Sequence, residues 1–356
     1  MTAGLERDGA AAARPPERGK PVGESRWVAW LGYLLAALCL VWVFHDVDPR
    51  DLARDAARIR WAWVAFAIGF DIVGYVCQGL RWWFLLPRER RPSVLRATQA
   101  VYAGLCTNEL LPVRPGELVR AYLVSRWSGA AFARVISSIV VERLLDGIWL
   151  AVGIAFVAVL VPLPGYLMKA EEVLVILVAT GVTVMIALLW RSRRYPRPLA
   201  APPGPGSGSG ISRRWRSTLA QLVATSTPGS AASALAVSSL VPFFEAVALW
   251  CVIRAYGIPL SLGAGIAVLL IVRLGTALPG APGNLGTYQL LCVVGVSLFG
   301  VDKTTATGFS VAAFVLLTLP LLIIGLVALR RSGMTLSSVR REIEAILTRQ
   351  TVAGDT

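Results

Sequence analysis

The fold the sequence predicts is an all-α polytopic membrane protein, an inverted repeat of six spanning helices and two opposed re-entrant helical hairpins. Three observations lead there. Of 356 residues, 56% are hydrophobic and only 16% charged, with mean hydropathy +0.64, whereas soluble domains carry about a quarter charged residues. The octet Leu111-Pro112-Val113-Arg114-Pro115-Gly116-Glu117-Leu118 recurs as Leu278-Pro279-Gly280-Ala281-Pro282-Gly283-Asn284-Leu285, with Pro112 and Pro279 set 167 residues apart. Finally, arginine-rich loops fall on one side of the predicted spans and charge-balanced loops on the other, which is how orientation is set in a membrane.

Taken in order, residues 1–26 mix Ala, Arg, Pro, Gly and Glu and predict a disordered cytoplasmic N-terminus. No cleavable signal is expected, because the first apolar run has no small-residue cleavage site after it. Runs near 27–44, 61–86, 134–161, 172–190, 231–256 and 305–329 approach or exceed the ~20 residues a helix needs to cross the hydrocarbon. Between them lie two interrupted stretches, 94–128 and 262–299. Each holds one L-P-x-x-P-G-x-L copy, and proline removes a backbone donor and clashes with the preceding turn, so neither stretch is one continuous helix.

The loops orient the chain. Residues 191–216 carry Arg191, Arg193, Arg194, Arg197, Arg213, Arg214 and Arg216 with no acid, and 88–96 carry Arg88, Arg90, Arg91 and Arg96 against Glu89. Both read as cytoplasmic, as does a basic tail over 330–356. Residues 45–60 are charge-balanced and the external loop 162–171 is nearly neutral. This divides the chain into a first membrane repeat at 27–161 and a second at 172–329, the latter including the cytoplasmic Arg/Pro/Gly loop 191–230. The first hairpin enters from the cytoplasm and the second from outside. Breaks in matching positions of two opposed halves point to a transporter site at the repeat interface. Two short full crossings would satisfy the same charge pattern. In the tail, Leu336, Val339, Ile343, Ile346 and Leu347 share one helical face, which suits either a helix lying on anionic lipid or a solvated tail helix.

Ionisable groups inside spans are expensive and mark functional sites. The densest set surrounds the first break: Asn108, Glu109, Arg114, Glu117 and Arg120, followed by Glu142, Arg143 and Asp146 on the next span. Glu142 and Asp146 share a helical face one turn apart and need a cation between them, for which Arg114, Arg120 and Arg143 are candidates. The set serves either as an ion-pair network pinning the hairpin or as a site where arginine forks hold an anionic headgroup. A helix starting after Pro115-Gly116 aims its positive end at such an anion. In the second copy Asn284 is expected to cap the following helix, with Tyr288 and Gln289 close behind. The breaks themselves are Pro112, Pro115 and Gly116, and Pro279, Pro282 and Gly283. Asp71, Gln78 and Arg81 on the second span are thinner signals, as are Glu245 and Arg273, which could pair.

The single histidine and five cysteines give no metal-ligand spacing. The net charge of +14 sits beside apolar spans and is read as lipid-facing, so no nucleic-acid partner is expected. No cofactor is expected either, since no nucleotide-binding G-x-x-x-x-G-K-[ST] loop occurs.

The run Thr107-Asn108-Glu109-Leu110-Leu111-Pro112-Val113-Arg114-Pro115-Gly116-Glu117-Leu118-Val119-Arg120-Ala121, followed by Val141-Glu142-Arg143-Leu144-Leu145-Asp146-Gly147, resembles the flippase-like family named for the transmembrane part of lysylphosphatidylglycerol synthases. The stretch Pro279 to Gln289 resembles that family's second hallmark, P-x-x-P-G-x-L-G, and the resemblance spans about 27–330. Many members carry Gly-Gly-Leu-Gly and then a Glu after the second break, where this chain has Asn284 and Gln289. The resemblance implies a plasma-membrane lipid transporter and not an enzyme. It would move an anionic or polyprenyl-phosphate-linked, glycosylated lipid between leaflets and touch anionic lipid at its cytoplasmic face. With about 26 residues after the last span, a stand-alone transporter is expected. Two other roles fit the composition: a polyprenyl-sugar-dependent glycosyltransferase using Asp46 or Asp48 as base, and a non-catalytic subunit of cell-envelope synthesis.

Overall fold

The structure is a computed structural model that describes residues 24–45, 47–111, 114–160, 228–276 and 282–334, with the isolated positions 176, 179, 180 and 183. The expected N-terminal segment 1–23, the span at 172–190, the loops 162–171 and 191–227, the tail from 335, and Asp46, Pro112 and Pro279 lie outside the described residues. Every regular element among those described is helical.

Helix α1 (Glu24–Phe44) is followed by a short amphipathic helix α2 (Pro49–Ala57) inside the loop that the sequence reads as external. Nine residues with alternating charges gave no apolar run, so composition alone does not reveal it. Helix α3 (Trp61–Leu85) ends where Pro87 forbids another turn. Its last carbonyls are taken up by Arg91, whose Nε donates to Leu86 O and whose Nη2 donates to Phe84 O, both at 2.8 Å. Helix α4 (Val94–Leu110) starts from Ser93, whose hydroxyl accepts from the Arg96 N–H. It ends at Leu110, and α5 (Gly116–Ser128) begins directly after Pro115 and closes on Gly129 in the left-handed region, φ 65°. Helix α6 (Phe132–Leu160) completes the first series.

The second series repeats the order: α7 (Pro228–Ala255), α8 (Leu262–Thr276), α9 (Thr287–Ser297) and α10 (Lys303–Arg331). The first residues of α3 and α7, α4 and α8, α5 and α9, and α6 and α10 are offset by 167, 168, 171 and 171 residues. The motif spacing therefore extends to whole helices. Asp302 caps α10, its carboxylate accepting from the Thr305 N–H at 2.9 Å.

Trp61–Leu85, Ala232–Ala255 and Lys303–Arg331 are long and apolar enough to cross a membrane, so the chain is a membrane protein. Helix α6 has the length, 29 residues, but carries Arg134, Glu142, Arg143 and Asp146. The interrupted stretches are different. Their helices have 17 and 13 residues in the first and 15 and 11 in the second. At 1.5 Å per residue each is roughly 17–26 Å long, short of the ~30 Å hydrocarbon.

Helices α3 and α7 form the most extensive contact and run antiparallel. The Arg60 N–H donates to Ala255 O at 2.9 Å at one end, Trp63 meets Trp250 edge-on, and Phe70 stacks on Phe244 further along. Around this pair each interrupted stretch reaches across to the other series: α4 packs on α10, and α8 packs on α6. One apolar core joins α3, α4, α5, α6 and α10 around Trp82, Val101 and Leu123, and a second joins α7 to α10 around Val252, Cys292 and Phe309. Apolar side chains such as Trp30, Leu38, Phe66, Phe243 and Ile323 face outward, as lipid-facing positions do.

Candidate functional site

The most deeply buried charges stand where α3, α5 and α6 meet. Arg81 of α3 is 1% exposed and its guanidinium forks over two carboxylates of α6, with Nη2 2.7 Å from Glu142 Oε1 and Nη1 2.5 Å from Asp146 Oδ1. Arg120 of α5 adds a second cation, Nη2 standing 2.8 Å from Glu142 Oε2 in an ion pair outside hydrogen-bond geometry. Its guanidinium also lies over the Trp82 ring, 4.9 Å from the centroid. Gln78 Nε2 approaches Glu142 Oε1 at 3.5 Å. Two carboxylates one helical turn apart repel, and Arg81 between them removes that repulsion. The bridging cation is therefore none of the three that the sequence reading offered. It comes from the preceding span, because Gln78 and Arg81, three residues apart, share the α3 face turned to α6. The signal was the presence of a cation on an apolar helix, and sequence distance hid its partners.

Arg143 extends this network outward, pairing with Glu117 of α5 and, at 3.2 Å, with Asp146, which Arg81 also holds. In the second series Arg273 of α8 pairs with Glu245 of α7, as the sequence allowed. The Arg143 side chain is 51% accessible and that of Arg273 38%. The helices that carry them, α6 and α8, pack on each other across the two series.

The two breaks come together nearby. Asn108 Oδ1 accepts from the Gly116 N–H at 2.6 Å and ties the end of α4 to the start of α5. Gly116 is there because the helices cross at contact distance: a Cβ would run into Gly104 O and lie 2.6 Å from Asn108 Oδ1. Arg114 has φ 52° and sends Nη1 to Thr276 O at 3.0 Å, the last residue of α8. Glu109 approaches the second break, where a Cβ on Gly283 (φ 64°) would meet its Oε2 at 2.8 Å. The tips of the two stretches thus touch each other.

Asn284 does not cap the next helix as expected. Helix α9 starts three residues later, and the N–H of the residue just before it, Gly286, donates to Gln289 Oε1 at 2.7 Å. The left-handed backbone of Asn284 (φ 51°) extends the turn past Gly283, and its Oδ1 is buried without a partner among the described residues. Tyr288 packs against Phe314 of α10, ring centroids 5.6 Å apart. Pro115 is the residue before α5 and Pro282 opens a short 3-10 turn, 282–284. Asn108 and Gln289 are thus engaged in shaping the breaks, Glu142, Asp146 and Arg120 in the buried centre, and Glu117 and Arg143 in its more accessible extension.

The profile of the lysylphosphatidylglycerol synthase TM region matches residues 29–325. A UPF0104 membrane protein of Methanothermobacter thermautotrophicus is 24% identical over 288 residues, covering 76% of this chain and 82% of that protein.

Proposed function

This chain belongs to the family of the lysylphosphatidylglycerol synthase TM region, and on that premise we propose that it is a plasma-membrane lipid transporter. It moves an anionic or polyprenyl-phosphate-linked, glycosylated lipid between leaflets. The headgroup is held between two re-entrant hairpins, α4–α5 and α8–α9, while the acyl or prenyl tails stay in the bilayer. Both termini face the cytoplasm, where the arginine-rich loops meet anionic lipid.

Three features support the inverted repeat. Helices α3 and α7 are corresponding elements and lie antiparallel, which is what a two-fold axis in the membrane plane produces. The exchange of partners, α4 on α10 and α8 on α6, obeys the same axis. The hairpin helices are too short to span, and their tips meet through Arg114 and Thr276. The single observation that carries the reading is the pair of accessible arginines, Arg143 and Arg273, on two helices that pack together where the two series meet. A headgroup crossing ~30 Å of hydrocarbon needs such a polar path, and guanidinium forks suit its phosphate.

Arg143 and Arg273 are both ion-paired, so anion binding arises from exchange. Glu117 and Glu245 hold the arginines until a phosphate replaces them. The test is lipid co-purification. Wild type and Arg143→Gln are purified in parallel and their bound lipids identified by mass spectrometry. Wild type should carry an anionic lipid that Arg143→Gln, with an unchanged melting temperature, has lost. The same lipid at the same occupancy in both would refute the assignment.

A further inference from the structure

One acid in the membrane interior takes no part in the network. Asp71 lies ten residues after the start of α3 and fourteen before its end, so roughly 15 Å and 21 Å of helix separate it from the two surfaces. It is 5% exposed, it has no ion pair among the described residues, and Oδ2 has no hydrogen-bond partner. Glu117, Glu142, Asp146 and Glu245 each have an arginine. Glu109 has the field of Arg114.

The surroundings of Asp71 are tyrosines. Tyr75 stands one turn along the same face of α3, and Tyr102 of α4 and Tyr288 of α9 are also within reach of its charge. Tyr75 and Tyr102 pack ring to ring at 5.5 Å, and the Tyr102 hydroxyl is buried without a partner. Tyr75 in turn feels Glu109 and Arg273. On the other helices packed against α3, the charged groups are engaged. Glu245 of α7, beside Gly74, is held by Arg273, and Glu142 and Asp146 of α6 lie more than two turns away, at Arg81. The titratable groups of α10 lie at its ends, Lys303, Arg330 and Arg331.

We propose that Asp71 is a proton-binding site that couples lipid movement to the transmembrane proton gradient. A lone carboxylate at membrane depth is expensive when charged and tolerable when neutral. One proton added to the carboxylate oxygen, and later released, therefore shifts the balance between two arrangements of the hairpins. An isolated buried acid also adds nothing to stability that an amide would not, so packing does not account for it. This inference rests on the transport reading and names its energy source.

The experiment uses the full chain in vesicles containing fluorescent acyl-labelled phosphatidylglycerol, with leaflet distribution read by external bleaching. With about one pH unit across the membrane and one proton per lipid, wild type should shift the label between leaflets by up to about tenfold. Asp71→Asn should equilibrate the label but lose this shift, and Asp71→Glu should restore part of it. A shift in Asp71→Asn equal to wild type overturns the proposal. So does a wild type that equilibrates label but answers only a sodium gradient or none, and that outcome leaves the transport reading standing. If wild type does not move the label, the transport reading has failed. Asp71 is then judged by proton uptake of the detergent-purified proteins on acidification: one proton fewer in Asp71→Asn supports the site, and equal uptake overturns it.

Discussion

Arg114 Nη1 donates to the backbone carbonyl of Thr276 across 3.0 Å, joining the break of one interrupted stretch to the end of the matching helix in the other. A guanidinium at a helix C-terminus meets the negative end of the helix dipole, a contact that contributes about 0.3–1 kcal/mol. Its value is positional, because it fixes where the two tips touch.

Cross-linking tests that contact. Single thiols placed at Arg114 and Thr276, with the five native cysteines replaced, should be joined in high yield by a short bifunctional reagent in membranes. A pair at Arg114 and Ser128, at the far end of α5, should not. Equal yields for both pairs would place the tips apart.

Arg81 and Arg143 should separate cleanly under mutation. Arg81 is 1% exposed between two carboxylates, and removing one partner of a buried ion pair costs about 3–5 kcal/mol. Arg81→Gln should therefore lower the melting temperature and the folded yield. Arg81→Lys should fail to restore them, because a point charge cannot fork over Glu142 and Asp146. Arg143→Gln, half accessible, should cost less than about 1 kcal/mol. A normal melting temperature for Arg81→Gln would show that the buried centre is not what holds α3 to α6.

Much of this was legible in the sequence because proline and glycine act locally. The two L-P-x-x-P-G-x-L octets marked both breaks, while the residues around the first break divide between the break itself, the end of α8 and the ion pairs with α6. The bridging role of Arg81 was not legible, since Glu142 and Asp146 are 61 and 65 residues away and only packing brings α3 to α6. Nor was the capping of α9 by Gln289. Asn284 is the better intrinsic cap, but Gly283 and Asn284 continue the turn in left-handed conformations and delay the helix to Thr287.

Acid should reveal the cap of α10. The Thr305 N–H holds the Asp302 carboxyl below its ordinary range. A group whose pKa is lowered on folding stabilises the fold above its unfolded pKa, and that contribution is lost as pH falls through the lowered folded value. Melting temperature should thus fall with pH in wild type below the ordinary carboxylate range. Asp302→Asn, which still caps but does not titrate, should fall less steeply. Parallel curves would remove Asp302 from the account.

The glycosyltransferase alternative makes an opposite prediction at the first loop. Asp48 Oδ1 accepts from the Arg50 N–H at 2.8 Å at the start of α2, a helix-entry role. Replacing Asp46 and Asp48 together by Asn should leave lipid movement and abundance within a factor of about two, since surface changes usually stay within ±0.5 kcal/mol. Loss of a sugar-transfer product in reconstituted vesicles would favour the enzyme.

The proposed path takes a headgroup between the two hairpins, past Arg143 and Arg273. The direct measurement is the rate at which acyl-labelled phosphatidylglycerol exchanges between leaflets of vesicles holding the purified chain, before and after the tips are cross-linked through positions 114 and 276. Exchange should exceed that of protein-free vesicles at least about tenfold, a barrier lowered by about 1.4 kcal/mol. It should stop on cross-linking and return when a cleavable linker is cut. Exchange that continues unchanged with the tips locked would contradict the account.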